Sequence, residues 1–460
     1  MTRQLSQWAA DCGGHLIGED RVFVGISTDT RKIAKDQLFV ALRGPSFDGN
    51  AFLEQAAAAG AAGALAEREG PAGFPVVRVA DALRGLQRAA QAWRRRFSIP
   101  LIGVAGSNGK TTTKEMLAAI LAQGGPVLAT QGNLNNHIGV PLTLLRLEPG
   151  HRRAVIEMGA NRAGEVAELA AFALPSIGLV TNAGAEHLEG FGTLEGAARA
   201  EGELFAALGA DGIAILNADD PFADLWREMT VARIVTFGIG VKADFSAREI
   251  RTQATAEGFM TRFTLLSPVG EVPVALRLAG KHNVVNALGA AAAAVSAGAS
   301  LAEVAAGLAT MRPVVGRLQL RLASGGGWLI DDSYNANPSS MTAAIDVLES
   351  LGARRWLVMG DMAELGDFAE QAHLDAGRYA RAHGVERLFA LGTLSRRAVE
   401  AFGEGASAHA DADSLIAAIR PGLSADVRVL IKGSRMNRLE RVVMALAAPG
   451  SGTGAEGRVH

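Results

Sequence analysis

The amino-acid sequence predicts an α/β protein of three domains: a small N-terminal α/β domain over 1–98, a central domain over 99–312 with a parallel sheet and a P-loop, and a Rossmann-like α/β domain over 313–460. Three observations lead there. The chain has 460 residues, and domains commonly run to about 150 residues. Hydrophobic residues make up 49% and charged residues 20%, which is material for several cores and argues against general disorder. Short, continuous apolar runs recur in two series separated by helix-length stretches, as in parallel sheets covered on both faces.

Residues 1–98 mix short apolar runs (VFVGIS, QLFVAL, PVVRV) with Ala-rich helical stretches. They end in Arg94, Arg95 and Arg96, which read as a solvated helix end. From Ile99 the pattern becomes strand, loop, helix. The strand candidates are LIGVAG (101–106), AVIEMG (154–159), IGLVTN (177–182), IAILN (213–217) and IVTFG (234–238). A second series after Pro313 holds WLIDDS (328–333), WLVMGD (356–361), LFALG (388–392) and VLIKGS (429–434). Most of these runs lead straight into polar residues, and open α/β sheets bind ligands just outside the carboxyl ends of their strands. A site in a cleft between two α/β units is therefore expected.

Composition excludes several classes. Lys+Arg 45 against Asp+Glu 47 leaves a net charge of −2, so no basic field points to nucleic acid. The one cysteine, Cys12, excludes an intramolecular disulfide framework and a Cys-rich zinc site. The N-terminus MTRQLSQWAADCGG lacks the apolar core of a secretory signal. Residues 283–302 carry no charge, yet they are Ala- and Gly-rich and include Asn286 and Ser296, so they read as a buried helix. The end APGSGTGAEGRVH (448–460) reads as a frayed tail. A cytoplasmic monomer, with no nucleic-acid partner and no membrane insertion, is expected.

Residues 103–112, GVAGSNGKTT, follow an apolar strand and precede the helical TKEMLAAIL. Gly106 and Gly109 allow a tight turn whose N–H groups, with the helix N-terminus, attract phosphate oxygens. Ser107, Asn108 and Thr112 belong to the same loop. Lys110 can reach the β and γ phosphates of ATP, and the Thr111 hydroxyl can ligate Mg²⁺. The strict P-loop pattern asks for Gly where Val104 stands, so the match is to G-x-x-G-x-N-G-K-T. Glu157 ends an apolar run and places a carboxylate at a strand end, where a hard cation finds an oxygen ligand.

The variant loop, with Asn108 before Gly109, resembles that of the Mur ligase family, the ATP-dependent amino-acid ligases of bacterial cell-wall synthesis. DDSYNANPSSM (331–341), GDMAELG (360–366), KHNVVNAL (281–288), AEHLEGFGT (185–193) and LIKGSR (430–435) extend the resemblance and point to the dipeptide-adding member. STDTRK (27–32) and LFVALRGPSFDGNAF (38–52) resemble that member's UDP-sugar-binding domain, with Asn50 where the family usually has His.

The resemblance implies ligation of D-Ala-D-Ala to UDP-N-acetylmuramoyl-tripeptide through an acyl phosphate, with ATP and two Mg²⁺ ions. It implies a catalytic set of Lys110, Glu157, His187 and Glu201, with Thr111, Glu157, His187 and Glu201 on the metals. The UDP-substrate would meet Ser27, Thr28, Asp29, Arg31, Phe39, Ala41, Gly44, Asp48, Gly49 and Asn50, and then Asn133, Asn135 and Asn136. Asn283 would lie near adenine. Arg317, Asp332, Tyr334 and Asn335 would face the nucleotide from the last domain, and Lys432, Ser434 and Arg435 would meet the dipeptide. At Glu201 the family typically has a lysine carbamoylated by CO₂. A glutamate keeps the negative sign of that group on a shorter side chain and predicts independence from CO₂. Glu201 can also be read as an ordinary helix-surface carboxylate, and a register slip onto Arg199 is an alternative.

Three other readings compete. A folylpolyglutamate synthase would lack STDTRK, FDGNAF and DDSYNANP. A non-catalytic ATP-binding paralogue is favoured only by the missing lysine at 201. A P-loop GTPase would need a guanine-reading N-K-x-D string, which is absent.

Overall fold

The structure, a computed structural model, describes residues 2–255 and 258–449, so the frayed-tail reading falls almost wholly outside it. Both apolar series become sheets. The central sheet has six parallel strands, in the spatial order Val127–Ala129, Arg153–Glu157, Leu101–Ala105, Ile177–Val180, Ile213–Asn217 and Arg233–Phe237. Leu101–Ala105 comes first in the chain yet sits inside the sheet, so later strands are laid down on both sides of it. Such a reversal opens a crevice at the strand ends, and the P-loop leaves from there.

The C-terminal sheet repeats the plan. Its order is Gln319–Leu322, Trp328–Asp332, Val427–Lys432, Arg354–Gly360, Arg387–Leu391 and Ala406–His409, with the first strand antiparallel. The parallel register sets Asp332 beside Lys432. Between these units an antiparallel meander runs through Ser246–Thr255, Gly258–Ser267 and Gly270–Leu276. Nothing in the sequence reading anticipates it. The uncharged stretch beginning at 283 forms the helix Lys281–Ser296, whose Ala287 and Ala290 to Ala294 are buried, so it is a core helix. Among the described residues, no helix is long and apolar enough to cross a membrane.

The N-terminal unit has a five-stranded sheet in the order His15–Ile17, Val76–Arg78, Gly63–Ala66, Leu38–Val40 and Ile26–Ser27. Its helix Ala82–Arg94 begins at Asp81, whose side chain accepts the Arg84 N–H, as N-cap residues do. The helix faces two units at once. Trp93 Nε1 donates to Leu147 O at 3.1 Å and Gln91 Nε2 to Ala171 O at 2.7 Å. Arg94 corrects the solvated reading of the arginine run. It is buried, and its Nε donates to Ala173 O at 3.0 Å. Arg96 is exposed but pairs with Asp11 at 2.7 Å.

Candidate active site

The strand Leu101–Ala105 delivers the chain into the turn that precedes the helix Lys110–Leu121. Gly106 and Gly109 have φ of 119° and 85°. A Cβ on Gly106 would lie 2.2 Å from Thr181 Oγ1, so only glycine fits. The end of the neighbouring strand pins the loop. Thr181 Oγ1 and Asn182 Nδ2 both donate to Asn108 O, at 2.7 and 2.8 Å.

Lys110 turns its ammonium back over this loop. It donates to Gly106 O, to Ser107 O at 3.0 Å and to Glu186 Oε1 at 3.0 Å. Burial alone would lower the Lys110 pKa, but Glu186, Glu201 and Glu157 together hold it above the usual lysine value. The electrostatics around Lys110 thus combine one ammonium with three carboxyl groups. Beside it, Thr111 Oγ1 donates to Glu157 Oε1 at 3.1 Å and Asn135 Nδ2 donates to the same oxygen at 2.8 Å. Glu157 Oε2 is buried without a partner.

A cavity of about 190 Å³ joins these groups to the C-terminal unit. Ser107 to Thr111, Asn133, Asn135, Glu157 and His187 line it on one side, and Arg317, Asp332, Tyr334, Asn335 and Lys432 on the other. Arg317 lies 4.6 Å over the Tyr334 ring, with its Nε unpartnered. Lys432 Nζ donates to Asp332 Oδ2 at 2.7 Å and to Asn335 O at 2.9 Å. A second cavity, about 280 Å³, shares Asn108, Gly109, Arg317, Asp332 and Lys432 and extends to Asn283, Leu278 and Val314. Asn283 faces it while donating its side-chain N–H to Ala279 O at 2.7 Å.

Several sequence readings are corrected. Glu201 does not line the cleft. It is fully buried under the loop, where its Oε2 accepts the Gly106 N–H at 2.6 Å and its Oε1 has no partner. Burial pushes its pKa up to about 7, so it is neither a surface carboxylate nor a permanently charged one. Arg199 is not the buried residue either, since it pairs on the surface with Glu195 at 2.7 Å. Ser434 is buried, donating to Ala336 O at 3.3 Å and accepting the Ala363 N–H. Arg435 is exposed near Glu440, away from the cleft. Asn136 accepts the Ile138 and Gly139 N–H groups as a helix-entry turn.

The N-terminal residues do not join this cleft. Asp29 and Arg31 form a paired fork, and Arg31 holds the Asp29 pKa down at about 2. Ser27 Oγ donates to Asp29 O at 3.0 Å, next to Thr28. Gly44 and Asp48 lie on the small hairpin Arg43–Gly44 and Phe47–Asp48. Gly49 packs on Leu42 O, where a Cβ would stand 2.4 Å away. The Phe39 and Ala41 side chains are core. Asn50 is also buried, donating to Asp48 and accepting the Glu67 N–H at 3.0 Å. These three present at most main-chain groups to a ligand.

Glu186 and Asn337 are among the cleft residues that escaped the sequence reading, and both bond to the phosphate loop through their side chains. Glu186 stands beside His187 and pairs with Lys110. Asn337 caps the helix Pro338–Ser350 and donates its side-chain N–H to Asn108 Oδ1 at 2.8 Å and Glu186 Oε2 at 3.2 Å. Its signal was legible, because Asn before Pro reads as an N-cap with Pro at the first helical position. A further bridge joins His187 Nδ1 to Glu364, with both residues at positive φ, 50° and 62°.

The family models match in three stretches. The Mur ligase family, catalytic domain, matches 22–94, the Mur ligase middle domain 104–294, and the Mur ligase, glutamate ligase domain, 316–435. The UDP-N-acetylmuramoyl-tripeptide–D-alanyl-D-alanine ligase of Escherichia coli (strain K12) is 43% identical over 97% of this chain and 99% of its own length. That of Bacillus subtilis (strain 168) is 37% identical over 93% and 94%. A crystal structure of MurF from Acinetobacter baumannii superposes with a TM-score of 0.91 at 33% identity, covering 96% of this chain and 98% of that one. MurF ligase from Thermotoga maritima, in complex with ADP, gives 0.80 at 26% identity, covering 92% and 96%. Folylpolyglutamate synthase from Mycobacterium tuberculosis shares the fold, with a TM-score of 0.61 at 17% identity over 79% of this chain and 94% of that one. The chain belongs to the Mur ligase family.

Proposed function

We propose that this protein is the cytoplasmic, ATP-dependent ligase that joins D-alanyl-D-alanine to UDP-N-acetylmuramoyl-tripeptide, giving UDP-N-acetylmuramoyl-pentapeptide, ADP and phosphate in peptidoglycan precursor synthesis. The observation that carries the reading is the phosphate loop, with Glu157 and His187 beside it, facing Arg317 and Asp332 across one cleft between two α/β units. The full-length relatives that bear this activity in their names favour it over a folylpolyglutamate synthase. The intact Lys110, Thr111, Glu157 and His187 speak against a non-catalytic paralogue.

Residues 1–98 would hold the UDP end of the substrate, 99–312 the phosphates of ATP, and 313–460 would close over the nucleotide and admit the dipeptide. Joining a carboxylate to an amine is uphill, and carboxylate oxygen is a poor leaving group. Transfer of the γ-phosphoryl group gives an acyl phosphate that a neutral amine attacks, releasing phosphate. This transfer needs placement and positive charge more than covalent help. Lys110 supplies charge at the β and γ phosphates and Arg317 from the facing unit. Asn135 orients the Glu157 carboxylate. The adenine would occupy the cavity at Asn283, Leu278 and Val314.

The donor set fits Mg²⁺. Glu157 offers an unpartnered buried oxygen beside the Thr111 hydroxyl, and the carboxyl groups around one ammonium leave negative charge to be balanced. Thr111, Glu157 and His187 would hold the metal, with two ions expected, and bound Mg²⁺ would neutralise the transferring phosphoryl group. Glu201 would act from beneath the loop instead. The test is phosphate release with UDP-N-acetylmuramoyl-tripeptide, with and without D-Ala-D-Ala. Dipeptide-dependent release and a pentapeptide product are expected. Release that ignores the dipeptide, or that requires a folate and glutamate, would sink the assignment.

A further inference from the structure

An ammonium has three N–H donors. On Lys110 all three are taken by the protein, two by carbonyls of its own loop and one by Glu186. A nucleotide phosphate can reach Lys110 only by displacing one of them. The loop carbonyls are fixed by the turn itself. Glu186 comes from a different loop, carries a charge of the same sign as phosphate, and lines the same cavity. Its other oxygen accepts the Asn337 N–H at 3.2 Å. Asn337 also holds Asn108 of the phosphate loop, and Asn108 Nδ2 in turn donates to Ser339 Oγ at 2.9 Å. One carboxylate therefore ties the phosphate-binding ammonium to the N-terminus of a helix in the C-terminal unit.

We propose that Glu186 is a positioning residue that holds the Lys110 ammonium in place of a phosphate oxygen while the nucleotide site is empty, and hands it over, releasing Asn337 as well, when nucleotide binds. The proposal rests on the ATP reading of the cleft. A carboxylate and a phosphate compete for one ammonium, because two anions close together repel unless a cation lies between them. The Glu186 contact thus costs the nucleotide part of its affinity, as any equilibrium held toward an incompetent state does. In return, Lys110 stays folded over its loop, and its release is coupled to the contact between the two units.

Calorimetric titration of the full-length protein with ADP tests this, using wild type, Glu186→Gln, Lys110→Ala and the double variant. Gln keeps the shape and removes the competing charge, so ADP should bind about tenfold more tightly, equivalent to ~1.4 kcal/mol. Lys110→Ala should bind more weakly. In the Lys110→Ala background, Glu186→Gln should change ADP affinity by a different factor than in wild type, because Glu186 acts through Lys110 and the two changes cannot add. Glu186→Asp, which keeps the charge but draws it back from Lys110, should fall between wild type and Gln. Equal or weaker binding by Glu186→Gln, or the same gain with Lys110 absent, overturns the proposal and leaves Glu186 a structural acid. Wild type that fails to bind ADP at all overturns the nucleotide reading instead.

Discussion

Glu201 lies directly beneath the phosphate loop and accepts the Gly106 N–H at 2.6 Å. The bond fixes the first peptide of the turn from below, where the cleft cannot reach. Its second oxygen is buried and unpartnered, which makes the ionised form costly. A residue that reads in the sequence as a metal ligand is, in the folded chain, a strut for the loop that binds phosphate.

The pH dependence of stability should report this strut. Burial raises the Glu201 pKa from its ordinary 4.5 to about 7. The folded state thus holds the proton more tightly than the unfolded chain. The stability this contributes is complete below about pH 4.5 and is lost as pH rises through about 7, a change on the order of 3 kcal/mol for a fully coupled group. Glu201→Gln, neutral at every pH, should match wild type near pH 4.5 and exceed it in melting temperature at pH 8, without ligands. A constant difference between the two across that range would place the titrating group elsewhere.

Bicarbonate should have no effect on the wild-type rate. No lysine lies between Lys114 and Lys242, and the resemblance implies that Glu201 stands where the family carries a carbamoylated lysine. Ligation assayed in CO₂-free and in bicarbonate-supplemented buffer should agree. Stimulation by bicarbonate would reveal a carbamoylated amine, with Lys110 or Lys114 as the lysines to inspect.

Lys110→Ala should lower ligation by about 10²-fold or more, since it removes charge at the developing phosphoryl transition state. The fold should persist, because the loop retains its bonds from Thr181 and Asn182. Steady-state turnover beside a circular dichroism spectrum decides it, and near-normal turnover would remove Lys110 from the chemistry.

Filling the cavity at Asn283 should block the nucleotide from its base end. Ala343 lines that cavity and is half-buried on the helix Pro338–Ser350. Ala343→Phe should weaken ADP binding by about tenfold or more. Fluorescence titration with a labelled ADP checks this. Unchanged affinity would move the base to another part of the cleft.

Nine parallel strands of the two large sheets were legible because each is a short, continuous apolar run, and the site lies where those runs turn polar; the parallel edge strands Val127–Ala129 and Ala406–His409 are too short and too exposed to show one. The meander over 246–276 was harder to see because its strands bury only alternate residues. Phe259, Thr261, Phe263 and Leu265 point in while their neighbours are less buried, so a search for continuous apolar runs passes over them. Gly63–Ala66 lies in an Ala-rich stretch that reads as helix, yet it is a central strand because its neighbours on both sides pair with it. In the site, the loop and Glu157 could be read from local pattern. The burial of Glu201 could not, because it depends on a 95-residue separation closing over Gly106. Arg94 was misread for a related reason: the carbonyl at Ala173 that satisfies it belongs to a different unit.

The helix Ala82–Arg94 belongs to two units at once, and this has a metric consequence. Gln87 and Gln91 donate to carbonyls of the central unit at 3.2 and 2.7 Å, Trp93 to another at 3.1 Å, and Arg94 to a fourth at 3.0 Å. Such a seam makes the N-terminal and central units a single platform. On the proposed placement, with the UDP end of the substrate on one part of that platform and Lys110 and Glu157 on the other, the span between them would be a fixed length. A peptide of one residue fewer would leave its carboxylate short of the phosphate loop, and one residue more would carry it past. The acceptor would then be chosen by its reach before any of its side chains is read.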